Sequence, residues 1–177
     1  MGLIARSLAR TIIHSFTLIK NIMETQEKYS LNQVSEIQII YNPVIKPSQR
    51  PKIDCSKDVY ELLRGNWDEN KIEFIEQFKV MLLNRANRVL GIVEISTGGV
   101  SGTVADPKVI FGAALKAAAV SIILAHNHPS GNLKPSQSDI ALTQKFAAAG
   151  AFLDIAVLEH IILTSEGYLS FVDEGLM

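Results

Sequence analysis

Apolar positions change their spacing along the chain, and each change predicts an element. Residues 78–83 are mostly apolar, and a second such run spans 89–95. Between them lies Asn84-Arg85-Ala86-Asn87-Arg88. Two strand-like runs joined by an asparagine-rich turn predict a β-hairpin. Upstream, Val59, Leu62 and Leu63 recur at helical spacing behind Ser56 and Asp58. This predicts a helix capped by Ser56, with an acid in its first turn. Gly98, Gly99 and Gly102 predict a loop, and Asp106-Pro107 predicts a helix start running on through Phe111, Ala114, Leu115 and Ala118. Asp accepts the free amides there, and the fixed φ of proline suits the first helical position. The short, mostly apolar stretch 120–125, with Ser121 its one polar residue, is expected of a central strand buried on both faces. A helix over 137–149, stopped by Gly150, follows. Strands are expected at 152–158 and 160–164, with a short final one at 168–172.

The first fifty residues read differently. Residues 24–51 are polar and interrupted by Pro43, Pro47 and Pro51. The alternation over 34–41 predicts one strand, and the prolines predict an extended linker. Residues 1–22 contain Arg6, Arg10 and Lys20 and no acid, so the rest of the chain must carry −4 to reach the net −1. Met23 is read as the natural start and residues 1–22 as an upstream extension, with a helical appendage or a targeting segment as the other readings. The expected division is therefore an extension and linker over 1–53 and a domain over 54–177.

Composition narrows the class. At 177 residues, 47% hydrophobic and 20% charged, the chain is long and apolar enough for one globular domain with its own core. A net charge of −1 lacks the basic signature of nucleic-acid binding. No apolar run reaches the roughly 18–20 residues of a membrane span. The single cysteine, Cys55, excludes an intrachain disulfide and a cysteine-rich zinc site, suits a reducing, cytoplasmic setting and is expected to be half-buried.

The candidate chemistry follows the apolar run 120–125. His126-Asn127-His128 puts two imidazoles on one side of an extended chain and Asn127 on the other. Pro129 and Gly131 then turn the chain, bringing Ser136 and Asp139 back towards it. Ser136-x-x-Asp139 has the spacing of a helix capping box, a role compatible with site duty because a first helical turn is a rigid mount. Two imidazoles and a carboxylate are the ligand types of catalytic zinc, which keeps one position for water. Such an enzyme also needs a proton acceptor. Glu76 and Glu94, one on each hairpin strand, are the candidates, and Glu73 is a weaker one.

In these residues the chain resembles the RadC family of the JAB/MPN superfamily, whose metal motif is called JAMM. The resemblance runs from about Asp54 to Met177. It includes Ile95-Ser96-Thr97-Gly98-Gly99, Val104-Ala105-Asp106-Pro107, the 126–139 motif, His160-Ile161-Ile162 and Tyr168-Leu169-Ser170-Phe171. It implies an α/β fold of the JAB/MPN, cytidine-deaminase-like type, with a mixed sheet flanked by helices. It implies Zn2+ held by His126, His128 and Asp139, Glu76 as base with Glu94 as the alternative, and Ser136 as the hydroxyl supporting a tetrahedral intermediate. The implied activity is metalloprotease-like hydrolysis of an amide or isopeptide bond in a peptide or protein. The alternative is a non-catalytic metal-binding scaffold or a partner-binding domain associated with DNA repair, a role resting on family naming alone.

Full-length relatives carry an N-terminal helix-hairpin-helix module that binds DNA. The first fifty residues show no such pair of short helices, so direct nucleic-acid binding is not expected of this chain. His160, preceded by Glu159 where relatives often have Asp, is expected to be structural and bonded to backbone or carboxylate. A nucleobase deaminase would need His-x-Glu and Pro-Cys-x-x-Cys, which one cysteine excludes.

Overall fold

The computed structural model describes residues 41–99 and 102–177. The readings of 1–22 and of Met23 lie outside them, as does the strand expected over 34–41, Tyr41 excepted.

The predicted hairpin forms as β1 (Gln77–Leu83) and β2 (Val89–Thr97), with Asn87 in the left-handed region at φ 54°. β1 also pairs antiparallel with β3 (Ser121–Asn127), and β3 pairs parallel with β4 (Ala156–Leu163). β5 (Tyr168–Ser170) closes the sheet, in the order β2-β1-β3-β4-β5. Every residue of β1 and β3 is buried, as expected for central strands covered on both faces.

Alternation along the strands sorts the core into two layers. Phe78, Val80, Leu82, Ile122 and Leu124 pack with α2 (Pro107–Lys116) and α3 (Gln137–Phe152) through Ile110, Phe111 and Phe146. Met81, Leu83, Ile123 and Ala125 pack on the other face with Val59 and Leu63 of α1 (Ser56–Arg64), and with Trp67 and Ile72. The mixed sheet with helices on both sides is the expected fold class. Among the described residues no helix is long and apolar enough to cross a membrane.

Five local expectations need correction, the last of them at Gly150. Cys55, not Ser56, occupies the N-cap of α1, and Asp58 Oδ2 accepts from the Asp54 and Cys55 amides at 2.9 and 3.1 Å. Cys55 is exposed rather than half-buried. α2 ends at Lys116, so Ala118 (φ 52°) lies in the turn beyond it. The two strands expected across 152–164 are one, β4, because Phe152 still belongs to α3 and Asp154 (φ 55°) makes the turn.

Gly150 does not stop α3; the helix runs through it. The glycine is needed because a Cβ there would overlap the Ile155 carbonyl oxygen, where the chain folds back to begin β4. This sets up opposed effects. Alanine gains about 0.8–1.0 kcal/mol over glycine in a helix, whereas overpacking costs about 1–3 kcal/mol. The Ile155 amide donates to the Gly150 carbonyl at 2.9 Å, so the backbone has little room to yield. Gly150→Ala is therefore expected to destabilise by roughly 1–2 kcal/mol net. An unchanged or raised urea midpoint would show that propensity wins.

Candidate metal centre

β3 carries the first imidazole to the carboxyl end of the sheet, where open α/β sheets place ligands. His126 is 2% exposed and lies on the Phe78 and Leu124 face. His128 lies one residue beyond β3, held by its amide donating to the Leu163 carbonyl at 2.9 Å. Asp139 comes from the first turn of α3. Ser136 is the N-cap: its Oγ accepts from the Asp139 amide at 3.1 Å, while Asp139 Oδ2 accepts from the Ser136 amide at 2.7 Å. Cap and mount are the same motif.

The three side chains converge. His126 Nε2 and His128 Nε2 are 3.0 Å apart. Asp139 Oδ1 lies 3.6 Å from His126 Nε2, and Asp139 Oδ2 lies 3.9 Å from His128 Nε2. All three ligand atoms fall within 4.8 Å of one another. The chemistry of the set tests whether a cation fits. His128 Nδ1 sits 2.6 Å from the Asn132 carbonyl oxygen, which can only accept, so in the neutral ring the hydrogen is on Nδ1 and Nε2 is a bare lone pair. Asp139 Oδ2 takes the Ser136 amide and hydroxyl, and no donor among the described residues reaches Oδ1. Burial pushes the His126 pKa down to about 4, against the pull of Asp139 and helped by His128, so this imidazole is neutral. The two Nε2 atoms and Asp139 Oδ1 therefore share at most one hydrogen, too few to satisfy them all, which is what a divalent cation does.

Glu76 lies just ahead of β1. The β1–β3 register pairs Phe78 with His126; continued by two residues, it sets Glu76 across from His128. Its amide donates to the Gly99 carbonyl at 3.2 Å and its carbonyl accepts from the Gly98 amide at 2.8 Å. Glu76 lines a groove of about 380 Å3 with Phe78, Thr103, His126, His128 and Asp139. Burial raises its pKa, Asp139 adds to the rise, and His128 and the Thr103 backbone oppose it. Glu94 is on the other face, exposed, taking hydrogen bonds from Thr97 Oγ1 at 2.7 Å and Gln77 Nε2 at 3.0 Å, with Lys79 Nζ 3.7 Å away. Glu73 is also exposed.

Two features went beyond the sequence reading. Asn127 does point away from the imidazoles, but it is not idle. Its Oδ1 accepts from the Gln77 amide at 2.7 Å, and its Nδ2 donates to the Ile72 and Ile75 carbonyls at 2.8 and 2.9 Å. The side chain is fully buried and ties the segment that carries Glu76 to the strand that carries the histidines. Asn127→Ala would leave three backbone groups unpaired, at about 1–3 kcal/mol each before relaxation. A net loss on the order of 3 kcal/mol in denaturant unfolding is expected; a loss below about 1 kcal/mol would mean the tie is dispensable.

His160 is the second. It was expected to bond backbone or carboxylate; instead its ring Nε2 meets His126 Nδ1 at 2.8 Å and its ring Nδ1 meets Thr143 Oγ1 at 2.6 Å. Burial holds its pKa well below the usual imidazole range, reinforced by the neighbouring histidines. Glu159 bonds around this ring rather than to it, accepting from the His160 amide at 2.8 Å and from Ser170 Oγ at 2.6 Å.

Comparison with known proteins places the chain among relatives. The family described as RadC-like JAB domain matches residues 53–176. A UPF0758 protein of Flavobacterium johnsoniae is 42% identical over 125 residues, covering 71% of this chain and 53% of that protein. One from Rubrobacter xylanophilus is 36% identical over 171 residues, covering 93% and 70%. One from Porphyromonas gingivalis is 44% identical over 103 residues, covering 58% and 45%. The match thus spans about half the length of the first and third of these relatives.

Proposed function

The chain belongs to the RadC-like JAB domain family, and from that premise we propose that residues 54–177 form a zinc-dependent hydrolase of amide or isopeptide bonds in a peptide or protein substrate. The observation that carries this reading is the convergence of His126 Nε2, His128 Nε2 and Asp139 beside Glu76 in one groove. Two nitrogens and one carboxylate oxygen leave a fourth, open position, the ligand count of catalytic rather than structural zinc. When bound, the ion lowers the pKa of water to around 7 and offsets charge developing on a carbonyl oxygen.

The protein's own groups do the rest. Burial raises the Glu76 pKa, which favours its holding a transferred proton. It accepts a proton from the attacking water as the water oxygen bonds to the carbonyl carbon. When the C–N bond breaks, Glu76 returns that proton to the departing nitrogen, leaving a carboxylic acid and an amine. Ser136 Oγ, 2.6 Å from Asp139 Oδ2, turns its hydrogen towards the developing oxyanion. Asp139 Oδ2 keeps the Ser136 amide when the hydroxyl leaves. One such donor lowers a barrier by about 3–4 kcal/mol.

The test is release of free amine from pooled linear and isopeptide-linked peptides by the full chain loaded with zinc. Zinc-dependent release is expected. Retention of peptides with no release above a zinc-free control would make the domain a binding scaffold.

A further inference from the structure

We infer that His160 and Thr143 are positioning residues for His126: they fix which of its ring nitrogens carries the hydrogen before any ion arrives. The inference rests on the reading of His126 as a metal ligand.

Three hydrogen bonds join in series. His126 Nδ1 meets His160 Nε2 at 2.8 Å, His160 Nδ1 meets Thr143 Oγ1 at 2.6 Å, and Thr143 Oγ1 donates to the Asp139 carbonyl oxygen at 2.7 Å. The last acceptor is a carbonyl, which holds no hydrogen, and this sets the direction of the whole series. Thr143 has one hydroxyl hydrogen, committed to Asp139, so Thr143 Oγ1 must accept from His160 Nδ1–H. A neutral imidazole has one N–H, so His160 Nε2 must accept. His126 then carries its hydrogen on Nδ1, and its Nε2 is bare towards His128 and Asp139.

The surroundings leave the series to its own members. His160, Thr143 and His126 are 0%, 1% and 2% exposed, so water does not supply substitute bonds. The His160 ring stacks on Phe171 at 4.6 Å and tilts against Phe78 at 5.8 Å, and among the described residues no carboxylate bonds to the ring. The helix closes the circuit. Asp139 and Thr143 are four residues apart on one face of α3, so the same face supplies one ligand and orients another. Partners of this kind fix ligand tautomers in metal sites generally; here the partner is a second histidine held in turn by a threonine.

Thr143→Val keeps the side-chain shape and removes the hydroxyl. His160 Nδ1–H then loses its acceptor, and the alternative becomes available: hydrogen on His160 Nε2, donated to His126 Nδ1, with the His126 hydrogen displaced onto Nε2. The primary readout is the imidazole 15N spectrum of the metal-free full chain. In the wild type it should place the His126 hydrogen on Nδ1, and in Thr143→Val it should show a shift towards Nε2–H. The second readout is Zn2+ affinity by competition with a chelating dye, expected to fall about 10–100-fold in Thr143→Val and to recover in Thr143→Ser. His160→Phe removes the acceptor for His126 Nδ1–H and gives an independent measure of the same loss if the valine variant folds poorly. An unchanged tautomer in Thr143→Val, or zinc affinity within about twofold of wild type in both variants, would overturn the assignment. Failure of the wild-type chain to bind zinc would instead remove the ligand reading, and the metal-free spectra would still decide where the hydrogen sits.

Discussion

Replacing His128 by alanine should leave a folded chain that no longer retains zinc through dialysis. The wild type should hold about one ion per chain, and the variant almost none. His128 is one of the three proposed ligands, and the Asn132 carbonyl orients its neutral imidazole with Nε2 bare. Its removal leaves one nitrogen and one carboxylate, too few for a tetrahedral zinc site. His128 is the better probe than His126 because its side chain is 17% exposed and lies beyond the end of β3, whereas His126 is packed beside Phe78. Truncation should therefore remove the ion with little effect on the core. Elemental analysis showing stoichiometric zinc in the variant would overturn the ligand set.

The complementary change, Glu76→Gln, should separate metal from turnover. Glutamine has the shape of glutamate, and the backbone bonds of residue 76 to Gly98 and Gly99 do not involve the side chain. Zinc content should stay near that of wild type. Hydrolysis should fall by about 10²–10⁴-fold, the usual worth of a positioned general base. Glu94→Gln is the matched control. That carboxylate lies on the far face with Thr97 and Lys79, and its loss should leave the rate unchanged. Full activity in Glu76→Gln, with zinc present, would assign the proton transfer elsewhere.

What the chain disclosed in advance follows from distance along it. The convergence of His126, His128 and Asp139 was legible because the three lie within fourteen positions, and strand alternation and helix capping are local rules. Without the family resemblance, Glu76 was legible only as one of two hairpin acids. The β1–β3 register that puts it on the histidine face belongs to a pairing across fifty residues. His160 and Thr143 were not legible as site residues, since a histidine in an apolar strand and a threonine in a helix are ordinary there. Their meaning comes from contacts 34 and 17 positions away. Gly150 shows a different limit. A glycine that ends a helix and one that lets another backbone approach look alike in sequence, and only the fold-back at Ile155 distinguishes them.

The buried amide of Asn127 also bears on how the groove behaves when warm. It stands between the two imidazole-bearing residues and grips the run from Ile72 to Gln77 at three points. Sideways drift of the central strand must drag the proton carrier along, so thermal jostling is common to both and largely cancels in their separation. Spacing between the imidazoles and the Glu76 carboxylate is thereby insulated from tremor in the surrounding scaffold, much as two instruments bolted to one bench stay aligned while the floor shakes.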